Sequence, residues 1–183
     1  MTKRVLMLIG IVAIVFLGTV VIKSFNKNIF LNPKGVKMKI TTVFSDKEKI
    51  PAKYTCDGDD ISPELLITDV PAEAKSLVLI VDDPDAPMGN FTHWLLYNIP
   101  VNTTKISSQS IPKGAVQGIN DFARLNYGGP CPPSGIHRYF FKLYAIDKVL
   151  DLNSGATKSE LEKAIKSHVI KKFELIGLYS RKR

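Results

Sequence analysis

Two histidines and a carboxylate are the residues whose chemistry could be pooled. Asp83 opens the proline-bound stretch Asp83-Pro84-Asp85-Ala86-Pro87, His93 follows in Phe91-Thr92-His93-Trp94, and His137 leads Arg138 and Tyr139 out of a Gly/Pro-rich loop. A neutral imidazole offers one donor and one acceptor and a protonated one offers two donors, so a histidine pair suits either a metal ion or an anion. With Asp83 the pair has the composition of a two-histidine, one-carboxylate metal site. The competing reading draws on the neighbours. Gly128-Gly129-Pro130 could expose backbone N–H groups to a phosphate oxygen, Tyr139 supplies a hydroxyl, and Asp83 would orient an imidazole and favour its charged form.

These residues need elements to bring them together. Leu77 to Val81 is an apolar run rich in Val and Ile and reads as a buried strand, which the following prolines stop by fixing φ and removing N–H donors. Residues before proline are held extended, so the loop bearing Asp83 and Asp85 has few conformations. The run from Phe91 to Pro100 reads as the next strand, and a short connection returns His93 beside the acidic turn. Asn126 to Gly135 is too rich in Gly and Pro for regular structure, and Tyr139 to Ile146 reads as a strand, which puts His137 where a loop enters a sheet. Elsewhere, alternation over Val36 to Phe44 predicts a first strand, Ile50 to Thr55 a short second one, and 101 to 125 short strands and loops. Ser159 and Glu162 form a capping-box pattern, with Leu161, Ala164, Ile165 and Val169 on one helical face, and Phe173 to Tyr179 closes as a strand. About seven to nine strands against one helix predict a mainly β fold, an antiparallel β-sandwich.

Three motifs in this order, Asp83-Pro84-Asp85-Ala86-Pro87, His93 to Pro100, and Gly128 to Tyr139, resemble the phosphatidylethanolamine-binding protein family in its bacterial and archaeal branch, the family that includes the Raf kinase inhibitor proteins. The likeness runs from about Lys39 to Tyr179; the loop Cys56 to Pro63 shares it but carries Glu64 and Ile67 where the family has a proline and an aromatic residue. The resemblance implies a binding protein whose pocket holds a small anion, a phosphate-bearing molecule or a phospholipid headgroup, without catalysis or cofactor. It implies Asp83, Asp85, Pro87, His93, Gly129, Pro130, His137 and Tyr139 as the ligand-binding set. Asp85 and Arg138 read equally well as an ion pair bracing two loops. A kinase or protease partner is implied by the same resemblance. The alternative from residue types alone is a hydrolase that uses Asp83, His93 and His137 on a metal or directly as acid and base.

The family fold places the loops of Cys56 and Cys131 on one side of the domain, which leaves a disulfide and two buried thiols both open. Cys131 lies between prolines with nothing to activate its thiol, so a Cys-His nucleophile is disfavoured. His168, near the apolar helical face, reads as a packing residue, as do Phe91 and Trp94.

Val5 to Ile22 holds 18 uncharged residues between Lys3-Arg4 and Lys23. That is close to the span of a bilayer-crossing helix, and no small-residue cleavage site follows, which favours a single-pass membrane anchor over a removed signal peptide. The expected organisation is therefore an anchor at 1–23, a linker at 24–37 and a domain at 38–183 on the extracytoplasmic side. The 25 basic against 17 acidic residues give a net charge of +8. Mixed signs and the lack of any nucleic-acid motif make this a solvated basic surface, with no nucleic-acid partner.

Overall fold

In the computed structural model, which describes residues 37–181, the chain forms nine strands and one α-helix. In order these are β1 (Lys39–Thr41), β2 (Glu48–Lys49), β3 (Leu65–Thr68), β4 (Ser76–Asp83), β5 (Phe91–Ile99), β6 (Lys105–Ile106), β7 (Val116–Gln117), β8 (His137–Ile146), α1 (Lys158–Ile165) and β9 (Val169–Tyr179). They make a three-stranded sheet, β1-β3-β6, and a six-stranded sheet, β2-β9-β8-β4-β5-β7. All pairings are antiparallel except the short β2–β9 contact.

The sequence of β4 shows no alternation because both of its faces are covered. Leu77, Leu79 and Val81 join Ile40, Leu65, Phe141 and Leu143 in the larger core, while Val78 and Ile80 pack with Leu161 and Ile165 of α1 in a second one. Asp82, wholly buried at the end of this strand, would be costly alone. It is met by Lys142 and Lys158 at 2.7 Å and 2.5 Å and by the Asn90 amide at 3.0 Å. Burial pushes its carboxyl up, and the two lysines together outweigh that and hold it below the usual range. β4, β8, α1 and the 84–90 loop are thus tied at one point.

Several sequence expectations shift. The capping box is Thr157 with Glu160, not Ser159 with Glu162, so the helix starts two residues earlier than expected, and it ends at Ile165 after eight residues. Val169 therefore begins β9 instead of ending the helix, and His168 lies in the turn between them, paired with Asp147 at 2.7 Å. The expected strand at Ile50 to Thr55 is a single 3₁₀ turn over Ala52–Tyr54, started by Pro51. The larger correction concerns the membrane. Among the described residues no helix is long and apolar enough to cross a bilayer. The helix α1 spans only about 12 Å against a hydrocarbon core of about 30 Å. The transmembrane helix placed before the sandwich, the single-pass membrane location and the extracytoplasmic side drawn from it therefore have no support in the structure. The stretch that prompted them, 5–22, lies outside the described residues.

Candidate functional site

His93 owes its position to an irregularity in the sheet. Pairing between β4 and β5 steps from Val81↔Trp94 to Asp82↔Thr92, so His93 is the extra residue of a β-bulge. Bulges bend a strand and re-aim a side chain. Here the imidazole turns onto the Tyr139 ring of β8, edge to face with centroids 5.1 Å apart, between Phe91 at 5.2 Å and Phe122 at 5.4 Å. Its Nδ1 donates to the Gly128 carbonyl at 2.7 Å. Burial among these rings holds the imidazole below the ordinary histidine range, against the opposing pull of that carbonyl and of the Asp83 carboxylate.

His137 and Tyr139 alternate along β8 and so share a face, their rings stacked with centroids 6.5 Å apart. Asp83 ends β4, the strand paired directly with that of His93. One of its oxygens accepts the Asp85 N–H at 2.8 Å and the other accepts from His137 Nδ1 at 2.7 Å. Both of these partners of the imidazoles, a carbonyl and a carboxylate, accept only. Each Nδ1 must therefore carry the proton, and each neutral ring is left with an unprotonated Nε2.

Tyr139 lies between the two imidazoles, fully buried, and among the described residues its hydroxyl has no hydrogen-bond partner. Burial first, then the Asp83 charge and the approach of that carboxylate to the hydroxyl outside hydrogen-bond geometry, push this phenol far above its usual range, so it stays an O–H donor at any physiological pH. A buried, unpartnered hydroxyl is costly and rare, and it is the group here that most needs something to bind.

The other expected residues do different work. Asp85 receives Arg138 at 2.6 Å and 2.8 Å and the Arg138 N–H at 2.9 Å, and the guanidinium holds its carboxyl down at about 2. It braces the acidic turn against β8. Gly128 N–H donates to the His93 carbonyl at 3.0 Å and Gly129 N–H to Asp60 at 2.6 Å. With Pro130 having no N–H at all, this loop gives a phosphate none of the backbone donors expected of it. The glycines are needed for room: a Cβ at 128 would strike the Phe122 ring at 2.4 Å, and one at 129 would strike Asp60 at 2.6 Å. Pro87 sits on the exposed 84–90 loop. The metal reading loses its carboxylate, since both Asp83 oxygens are engaged, and among the described residues no three metal-ligating side chains converge.

Asn120 and Phe122 belong to the site and were not singled out by sequence patterns. The buried Asn120 amide donates to the carbonyls of His93 at 3.1 Å and Asn126 at 2.7 Å and accepts the N–H groups of Phe122 at 3.1 Å and Arg124 at 3.0 Å. It winds the 120–126 loop so that Phe122 covers His93. An Asn-Asp pair after a glycine is a turn signal, and only that much was legible. Cys56 and Cys131 form a disulfide, which with the Cys56 N–H to Pro130 carbonyl bond at 3.1 Å fastens the glycine-proline loop to the 52–60 loop.

This arrangement can be set beside known proteins. A sequence profile of the phosphatidylethanolamine-binding protein family matches residues 40–180. A UPF0098 protein of Methanothermobacter thermautotrophicus is 53% identical over 146 residues, covering 77% of this chain and 97% of that one. Another from Pyrococcus horikoshii is 52% identical over 157 residues, with 80% and 78% covered. Among solved structures, a phosphatidylethanolamine-binding protein homologue from Chlamydia trachomatis superposes with a TM-score of 0.76 at 43% identity, over 80% of this chain and 99% of that one. E. coli YbcL, a member of the same family, superposes with a TM-score of 0.75 at 29% identity, over 80% and 100%. Profile, relatives and folds agree over the region that carries the two histidines and Tyr139, and the chain belongs to the phosphatidylethanolamine-binding protein family.

Proposed function

We propose that this chain is a binding protein whose pocket, formed by His93, His137 and Tyr139, holds a small anion, as inorganic phosphate, a phosphate-bearing molecule or a phospholipid headgroup. The observation that supports it best is the buried Tyr139 hydroxyl without a partner, flanked by two imidazoles whose Nδ1 atoms are already satisfied. An oxyanion would accept from Tyr139 directly and from either Nε2 once that ring is protonated. Asp83 does not touch the ligand on this reading; it fixes the His137 tautomer. The pocket's name-giving ligand in the family and the phosphate it carries are one chemistry, and the headgroup is distinguished from free phosphate by affinity alone.

The test is a titration of the protein with inorganic phosphate and with phosphoethanolamine, followed by the imidazole NMR signals of His93 and His137. Saturable shifts of both are expected. Tyr139→Phe should weaken binding about ten-fold or more, the loss of one hydrogen bond to an anion. The same change should leave folding stability equal or higher, because it removes an unpartnered polar atom from the core. Unchanged affinity in Tyr139→Phe would remove the hydroxyl from the site, and silent imidazole signals with both ligands would remove the anion.

A further inference from the structure

A cavity of about 300 Å³ is lined by residues of the 60–62, 109–111 and 126–127 segments with Trp94 and Gln117, and by neither histidine. Asn126 and Tyr127 line it, while the carbonyl of Gly128, the next residue, accepts from His93. Its size lies at the low end of small-molecule sites. The wall carries the side chains of Asp60, Ser110, Gln109, Gln117 and Asn126, over an apolar floor that includes the Trp94 indole.

We propose that this cavity is a site for a neutral polyhydroxylated molecule, a polyol or monosaccharide. Charge decides against the alternatives. No lysine or arginine lines the cavity, so an anion would meet only the Asp60 carboxylate. A cation would find that carboxylate already engaged by the Gly129 N–H at 2.6 Å and by Arg124 at 3.7 Å. The remaining polar groups are amides and hydroxyls, which both give and take hydrogen bonds, as the hydroxyls of a polyol do. Gln117 gives its carbonyl to the Trp94 Nε1–H at 3.2 Å, which leaves its NH₂ group to donate. The C–H face of a sugar suits the aromatic floor of Trp94 and Tyr127, whose rings meet edge to face at 5.7 Å.

The cavity is built before any ligand arrives. Ser62 stitches its two sides together, accepting the Gln109 N–H at 3.0 Å on its hydroxyl and the Ser108 hydroxyl at 2.5 Å on its carbonyl. Asp60 and Gln109, on opposite sides, both hold left-handed backbone, with φ of 52° and 59°. Such conformations persist in non-glycine residues only where the surroundings impose them, and the Ser62 hydroxyl holds the Gln109 N–H in place.

Trp94 is the sole tryptophan of the chain and lines this cavity, so its fluorescence and its indole N–H NMR signal each come from one place, the cavity wall. Glucose, ribose, myo-inositol and glycerol are the probes, with inorganic phosphate as the contrast. At least one polyol should shift the indole signal saturably, and Gln109→Ala and Asn126→Ala should each loosen it about two- to ten-fold, one neutral hydrogen bond each, at unchanged thermal stability. Phosphate should shift the imidazole signals without displacing the polyol. A linear, non-saturating response to all four polyols overturns the proposal, as does a saturable one that both variants leave unaltered. Competition by phosphate overturns it too, by making the two cavities one site. Failure of phosphate to bind at all would count against the histidine pocket and leave the polyol result standing by itself.

Discussion

Sulfate affinity should fall as pH rises from roughly 5 to 8, because the pocket has to charge an imidazole to hold an anion with it. The sign follows from the two Nδ1 partners, the Gly128 carbonyl and the Asp83 carboxylate, which leave each neutral ring with an Nε2 lone pair for the ligand. A lone pair repels an oxyanion. A proton in its place makes a charge-assisted hydrogen bond of roughly 1.5–3 kcal/mol, about 10- to 150-fold in affinity for each ring. His93 is the ring that resists: burial holds it below the ordinary histidine range, so near neutrality sulfate must bring a proton in with it. Affinity then falls about ten-fold per pH unit between the free and bound pKa of that ring. Sulfate is the ligand of choice because its own charge stays constant, whereas a phosphomonoester titrates near pH 6. Calorimetric titrations at several pH values, each in two buffers of different ionisation enthalpy, give affinity and proton uptake together. Uptake of about one proton near neutrality is expected, and His93→Gln should lower affinity at the acid end and flatten the profile. The unliganded protein should show the mirror effect. With the folded pKa depressed, the unfolded chain binds more protons, so the His93 contribution to stability is fully present above about 6.5 and is lost as pH falls through the folded pKa. An affinity constant across the range, with no proton uptake, would refute the assignment of Nε2 protons as the anion's donors.

Three other perturbations test the scaffold. Asn120→Ala removes four hydrogen bonds from one buried amide and should cost about 3–4 kcal/mol, read from denaturant unfolding, with a weaker phosphate response because Phe122 is released from His93. Asp82→Asn leaves Lys142 and Lys158 facing each other in a largely buried place and should cost about 3–5 kcal/mol; a cost below about 1 kcal/mol would show that the lysines simply turn to solvent. Reduction of the Cys56–Cys131 disulfide, which closes a sequence separation of 75, should lower stability by about 4 kcal/mol on loop entropy. The midpoint shift with and without reductant measures it.

Most of the fold was legible because it follows from burial. A run such as Leu77 to Val81 has no stable place except the middle of a sheet, and the chain breaks at Pro84 and Pro87 whatever surrounds it. The helix was legible as a helix and misread by two residues at its start, since Thr157-x-x-Glu160 and Ser159-x-x-Glu162 are both capping boxes on paper and only packing chooses between them. The bulge at His93 was not legible. A one-residue insertion in a pairing leaves no mark in a nine-residue apolar strand, yet it decides that the imidazole meets Tyr139. The destination of each hydrogen bond was equally hidden. Gly129 reads as a phosphate-cradling glycine until Asp60, 69 residues earlier, is seen to take its N–H. Asp82 carried a readable signal, a charge inside an apolar run that burial forbids without partners, though nothing in the sequence names Lys142 and Lys158 as those partners.

Engagement of so many polar groups within the protein narrows the kind of ligand the histidine pocket suits. The glycine-loop N–H groups, both Asp83 oxygens and the Asp85–Arg138 pair are internally satisfied, so the unconditional donor is Tyr139 and the two imidazoles donate only after taking up protons. A ligand that brings its own proton escapes that condition. The P–OH of a singly charged phosphomonoester can donate to one neutral Nε2 while another of its oxygens accepts from Tyr139, an arrangement closed to sulfate and to phosphodiesters, which have no such hydrogen at neutral pH. Placing one imidazole in a greasy enclosure of Phe91, Phe122 and Tyr139 strengthens the preference, because burial penalises the charged ring and leaves the neutral, accepting one in place. On the proposed anion reading, the same enclosure that lowers the affinity for anions in general should favour the protonated monoester among them.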